Sequence, residues 1–179
     1  MTRARRTPEG GEPGPPESVP EPASADPELT IASSPAELAS VRELFQEYAN
    51  SLPVDLAYQG FDEEVRDLPG AYAAPGGTLL LAVIGGVPAG CVGLRAGPVG
   101  SGEIKRLYVR PAYRRRGLGR VLVETLVETA RGRGYGALVL DTLPTMDDAY
   151  RIYRSLGFEA CEPYYATPVV GTRFLRLDL

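Results

Sequence analysis

Val109-Arg110-Pro111-Ala112-Tyr113-Arg114-Arg115-Arg116-Gly117-Leu118-Gly119-Arg120 is the stretch on which the reading of this chain turns. It follows a run of strand character, Glu103 to Val109. It opens a run of helical spacing, Gly117 to Arg131, in which Leu118, Val121, Leu122, Thr125, Leu126 and Thr129 share one side. Two glycines at such a junction let the backbone approach a ligand closely, and a helix start offers unpaired N–H groups at a positive dipole end. Arg114, Arg115, Arg116 and Arg120 surround that end, so the segment reads as a site for phosphate or pyrophosphate. A Walker A loop is excluded, because it ends in Gly-Lys-Ser/Thr and the chain's one lysine, Lys105, lies upstream. A Rossmann fingerprint is excluded too, since its third glycine falls at Leu122.

The remaining pattern, Arg-x-x-Gly-x-Gly from Arg114 to Gly119, resembles the pyrophosphate loop of the GNAT acyltransferase superfamily. Two neighbouring runs carry the same resemblance. Glu103-Ile104-Lys105-Arg106-Leu107-Tyr108-Val109-Arg110-Pro111 is similar to the family's fourth strand. Ala149-x-x-x-Tyr153-x-x-x-Gly157-Phe158 is similar to its last helix end. The likeness spans about residues 30–179 and implies an α/β GNAT fold: a central mixed, mostly antiparallel sheet, splayed at the fourth strand and flanked by helices.

The resemblance also implies roles. Backbone groups of Leu107, Tyr108 and Val109 bind the pantetheine arm of acetyl-CoA. Arg114 opens the pyrophosphate motif, and the amides from Arg115 through Arg116, Gly117, Leu118 and Gly119 to Arg120 grip the pyrophosphate. Backbone N–H groups beside the strand stabilise the oxyanion, so an amine attacks the thioester directly without a covalent enzyme intermediate. Glu103, eleven residues before Arg114, stands where the histone-acetylating branch places its catalytic glutamate, and is the candidate base. Its other reading is a strand glutamate paired with Arg106 or another arginine. Tyr153 matches the tyrosine that protonates the departing thiolate, or else is a core aromatic beside Tyr150. Met146 stands where many relatives have an asparagine that touches the coenzyme, and Thr142 is the expected substitute. On the acceptor side, Glu47, Asp55, Asp62, Glu63 and Glu64 with Tyr48, Tyr58 and Phe61 suggest a pocket for a cationic amine. The run Pro163-Tyr164-Tyr165-Ala166-Thr167-Pro168 is a candidate wall of the same pocket, or a plain loop.

The rest of the chain agrees with one domain. Ser34-Pro35-Ala36-Glu37 is a helix start with a capping box, followed by Leu38, Val41, Leu44, Phe45 and Tyr48 on one face, and the helix should end before Pro53. Thr30-Ile31 precedes it as a short strand, and Phe61 to Leu68 reads as a short second helix. Strands are expected at Thr78 to Ile84, Val87 to Arg95, Ala137 to Asp141 and Arg173 to Leu177, with a helix from Thr145 to Leu156. Seven of the 17 prolines fall in residues 1–28, with almost no large apolar side chain, so a disordered tail is expected there and the folded domain over 29–179.

Composition narrows the chemistry. With 179 residues, 44% hydrophobic and 23% charged, the chain is globular. It has no histidine, which excludes Ser-His-Asp and Cys-His triads and His-ligated metals; two cysteines cannot make a four-ligand zinc site, so no metal is expected. The net charge of −4 argues against nucleic acid. That value hides 14 acidic against 5 basic side chains in residues 1–67, and 9 against 14 in residues 68–179. One part is thus suited to meet an anion and another a cation. No apolar run approaches a membrane span, and the basic first residues are followed by a Pro/Glu/Gly stretch, so a cytoplasmic protein is expected. The reading is an acetyl-CoA-dependent N-acetyltransferase acting on a small-molecule amine, as monomer or homodimer. Its alternatives are a protein or peptide acceptor, and a non-catalytic acyl-CoA sensor.

Overall fold

Ser34 starts the first helix as its sequence predicts. Its hydroxyl accepts from the Glu37 amide at 3.3 Å, and the Glu37 carboxylate accepts from the Ser34 amide at 2.9 Å. The computed structural model describes residues 26–179. The expected tail of residues 1–28 falls outside them up to residue 25. Helix α1 (Pro35–Asn50) buries Val41, Leu44 and Phe45 completely, each burial stabilising the fold by about 1.5–3 kcal/mol. Then follow α2 (Phe61–Arg66), β2 (Thr78–Ile84) and β3 (Val87–Ala96), after a first strand β1 (Glu28–Ile31). β4 (Gly102–Val109) leads into α3 (Leu118–Gly132), β5 (Ala137–Thr142), α4 (Asp147–Ser155), β6 (Glu159–Ala160) and β7 (Arg173–Asp178).

The strands form one sheet in the order β1-β2-β3-β4-β5-β7-β6, antiparallel throughout except for β4 with β5. That parallel contact is short. Only Gly102 with Leu138 and Glu103 with Val139 are in register, after which the two strands part. This is the mixed, splayed sheet that the motifs imply. Each face carries its own core. On one side α3 and α4 pack Leu122, Leu126 and Tyr153 against Val92, Ile104, Leu138 and Leu175. On the other, α1 and α2 pack Phe45, Phe61 and Val65 against Leu79, Leu81 and Tyr108.

Several boundaries differ from expectation. α2 ends at Arg66 rather than Leu68, and α4 runs over Asp147–Ser155 inside the expected 145–156. Gly117 is the N-cap of α3, with φ 80, rather than its first residue. A 3-10 helix at Leu56–Gln59 had no expectation; Asp55 caps it through the Ala57 amide at 2.8 Å, and Gly60 ends it at φ 70. Among the described residues no helix is long and apolar enough to cross a membrane.

Candidate active site

β4 builds the site through a bulge. Cys91 pairs with Tyr108 and Gly93 with Lys105, so β4 holds one residue more than β3 between those pairs. The strain falls on Arg106, a non-glycine residue at φ 58. The bulge breaks the strand's alternation. Lys105 and Arg106, though consecutive, both line one narrow cleft in the gap between β4 and β5. Tyr48, Tyr58, Gln59, Leu107, Asp141, Thr142, Met146 and Tyr153 line it as well.

Charged groups here are tightly paired. Arg106 grips Glu64 through two nitrogens, at 3.0 and 2.7 Å, and reaches Gln59 Oε1 at 2.7 Å. Its guanidinium also lies 5.1 Å from the Phe61 ring centre. Burial alone would raise the Glu64 carboxyl, but the hydrogen bonds and charge of Arg106, with the Tyr72 hydroxyl, hold it below the ordinary range. Lys105 Nζ donates to Asp141 Oδ1 at 2.7 Å. Asp141 is likewise buried, which would raise its pKa, yet the Lys105 charge and hydrogen bonds from Lys105 and Tyr165 keep it low. Gln59 Nε2 donates to the Tyr165 hydroxyl at 3.2 Å, tying the segment before β7 to the 3-10 helix across the cleft.

Tyr153 lies at the cleft floor, 5% exposed, its ring edge-on to Phe158 at 5.6 Å. Burial, reinforced by Tyr48 and Asp141, drives its pKa far upward, so the phenol keeps its proton. Glu103 is placed differently from the expectation. It is not a cleft-lining residue: one carboxylate oxygen takes Arg95 Nε at 2.7 Å, the other the Tyr164 hydroxyl at 3.1 Å, with Lys105 Nζ at 3.7 Å. It lies where β4 and β5 are still paired, before the strands part, and its buried carboxylate is enclosed by Arg95, Lys105 and Tyr164 instead of facing open space. Its other reading, a strand glutamate paired with Arg106 or another arginine, is the one the structure shows, and the arginine is Arg95. The carboxylate that the cleft does contain, Asp141, had no sequence signal beyond ending a strand.

The loop before α3 has the geometry of an anion cradle. Arg115 at φ 61 and Gly117 at φ 80 curl the backbone, and α3 has no side-chain cap. Val121 is the first residue of the helix whose amide finds a carbonyl, that of Gly117, so among the described residues the amides of 115–120 have no protein acceptor. Space is open where a Gly117 side chain would begin. At Gly119 a Cβ would meet Ile152 at 3.1 Å, so this glycine serves helix packing. Arg114 folds back onto β4, its Nε on the Val109 carbonyl at 2.8 Å and its guanidinium 5.7 Å from the Tyr108 ring centre. Arg120 is held by Glu124 at 2.8 Å and Ser155 at 3.0 Å. Arg115 and Arg116 are exposed and form no ion pair among the described residues. Leu107 and Val109 are partly exposed beside them, and Leu118 is buried.

The expected acceptor-side carboxylates are dispersed. Glu47 pairs with Arg110 at 2.7 Å, Asp55 caps its 3-10 helix, and Asp62 and Glu63 are exposed away from the cleft; only Glu64 lies behind it. Among the described residues no group of three His, Cys, Asp or Glu could hold a metal.

Comparison with known proteins agrees with this geometry. The model of the acetyltransferase (GNAT) family matches residues 38–158. An uncharacterised N-acetyltransferase of Schizosaccharomyces pombe is 38% identical over 153 residues, covering 84% of this chain and 94% of that protein. An acetyltransferase of Streptococcus agalactiae superposes with a TM-score of 0.69 at 22% identity, over 86% of this chain and 98% of that one. The protein yncA of Salmonella typhimurium, solved with its cofactor acetyl-CoA, gives 0.61 at 22% identity, over 84% and 93%.

Proposed function

This chain belongs to the acetyltransferase (GNAT) family, and from that premise we propose that it transfers the acetyl group of acetyl-CoA to the primary amine of a small molecule. The observation that carries the reading is the juxtaposition of two features on either side of one strand end. The unpaired amides of 115–120 lie just beyond β4, and the strand itself borders a cleft floored by Tyr153.

The residues present fit the coenzyme. Six consecutive amides without a protein acceptor among the described residues suit a pyrophosphate, with the exposed Arg115 and Arg116 beside them to add charge. Leu107, Tyr108 and Val109 follow the point where β4 leaves β5, so their backbone edge is open to the pantetheine arm. The Thr142 hydroxyl is buried, lines the cleft and has no hydrogen-bond partner among the described residues, as suits a group that meets a ligand. When bound, acetyl-CoA supplies the acetyl group as an activated thioester.

The chain's own residues then manage the protons. Asp141 faces the cleft and accepts a hydrogen bond from the incoming ammonium, which gives one proton to solvent water before its nitrogen attacks the thioester carbonyl. Glu103, one layer deeper, acts as a positioning residue: it shares Lys105 with Asp141 and fixes the ammonium between them. Tyr153 holds a proton on Oη for the departing thiolate, which leaves as the free thiol. The bridge from Gln59 to Tyr165 closes the acceptor side, which supports a small acceptor over a protein surface.

Thiol release from acetyl-CoA, measured against small amines, peptides and proteins, tests this. We expect turnover with a small amine, and Tyr153→Phe to lower kcat by about a hundredfold with unchanged affinity for the coenzyme. Full activity in that variant would remove Tyr153 from the mechanism. Turnover confined to peptides or proteins would overturn the acceptor class, and coenzyme binding without turnover would make the chain a sensor.

A further inference from the structure

We infer that the acceptor is a zwitterion, an amine carrying a carboxylate in the manner of a free amino acid, with Asp141 receiving its ammonium and Lys105 and Arg106 its carboxylate. The inference rests on the acetyl-transfer reading above and names the substrate class of the same cleft.

The charge balance disfavours an acceptor with several positive charges. In and behind the cleft stand three carboxylates, Glu64, Glu103 and Asp141, and three cations, Arg95, Lys105 and Arg106, all joined in ion pairs. Among the described residues no carboxylate is left over for a second ammonium. Asp55, Asp62 and Glu63 do not line the cleft. A polyamine would therefore bring uncompensated positive charge into a confined space beside Lys105 and Arg106, where charges are weakly screened. A zwitterion brings none.

The placement of the charges matches an amino acid as well. Asp141, Lys105 and Arg106 are adjacent on the wall of one cleft, a negative group beside two positive ones. Each still has hydrogen-bonding capacity. Arg106 engages Glu64 and Gln59 with three of its five N–H groups and the Tyr48 hydroxyl with another, which leaves one for a ligand. Lys105 has donors beyond the one given to Asp141, and among the described residues the Asp141 carboxylate otherwise meets Gln59, at 3.5 Å, and the Tyr165 hydroxyl. The bulge brings the two cations together. Regular alternation would turn Arg106 to the Ile104 face, toward α3; instead the chain holds a non-glycine residue at φ 58, a conformation that persists only where the surroundings enforce it.

The test changes the acceptor and leaves the protein intact. The full chain, loaded with acetyl-CoA, is assayed for thiol release with L-leucine, L-phenylalanine, L-serine and L-glutamine, with the α-carboxamide of each, and with spermidine and kanamycin. The same compounds are titrated calorimetrically into the chain holding coenzyme A. We expect at least one free amino acid to exceed its carboxamide by about tenfold or more in kcat/KM and in affinity, with both polycations below it. Equal rates and affinities for acid and carboxamide, or preference for a polycation, would overturn the inference while leaving acetyl transfer standing. Selective binding of an amino acid without any turnover would uphold the carboxylate site and overturn the transfer reading. Absence of turnover together with absence of selective binding would overturn the inference as well.

Discussion

Arg106 stands at a left-handed φ, buried between two aromatic rings, and ties β4 to α2 through Glu64 and to the 3-10 helix through Gln59. Both members of the Arg106–Glu64 pair are withdrawn from water, with side chains 2% and 8% exposed. Removing one leaves the other as a buried, uncompensated charge. Arg106→Met should therefore lower stability by about 3–5 kcal/mol in urea unfolding, whereas adding Glu64→Leu to it should restore most of that loss. A double variant no more stable than the single one would show that the pair is not the source. None of this was legible in the sequence. Alternation along Glu103, Lys105 and Leu107 assigns Arg106 to the opposite face, and only the bulge reverses it. The same tertiary effect hid Gln59 and Asp141, which meet each other across 82 residues of chain. It also took Glu103 out of the cleft, because spacing from a motif fixes a strand position but not what neighbouring strands place around it.

Elements whose signals are local were read well, and those that depend on distant partners were not. The capping box of α1 needs only Ser34 to Glu37, and it forms as its sequence predicts. By contrast the 3-10 helix of Leu56–Gln59 and the two-residue β6 are too short to carry a periodicity and exist through their contacts with the rest of the fold. Glu37 gives α1 a pH dependence that can be worked out. Hydrogen bonds from the Ser33 and Ser34 amides, and from the Ser34 hydroxyl, lower its carboxyl from 4.5 to about 2. A depressed carboxyl favours the folded chain once it is ionised in both states. Its contribution is thus fully present above 4.5 and fades as the pH falls toward 2. Glu37→Ala should be less stable than the natural chain at neutral pH, and denaturation curves of the two should converge as the pH approaches about 2. A constant difference across that range would mean that Glu37 acts by packing rather than by its charge.

The uneven charge along the sequence proves to be partly internal to the molecule. Carboxylates of the acidic N-terminal part, Glu43, Glu47 and Glu64, pair with Arg110 and Arg106 from the basic part, which draws the α1–α2 layer onto β4. What remains for ligands is the cradle at Arg115 and Arg116 and the balanced cleft beside it. The splay that opens this cleft nearly divides the sheet, since only two residue pairs join β4 to β5. Continuity depends on the core beneath, where Val92 and Ile104 from one half meet Leu138, Leu140, Phe158 and Leu175 from the other. Phe158 is fully buried in that core and its ring supports Tyr153. Phe158→Ala should lower stability by about 3–5 kcal/mol. Because the core crosses the gap, thermal unfolding of the variant should remain a single transition, with calorimetric and van't Hoff enthalpies equal. Acetyl transfer should fall as well, measured at a temperature where the variant is folded, as Tyr153 loses the surface that fixes its ring. Two separate transitions would show that β1–β4 and β5–β7 fold independently. The cleft would then lie between two units rather than within one.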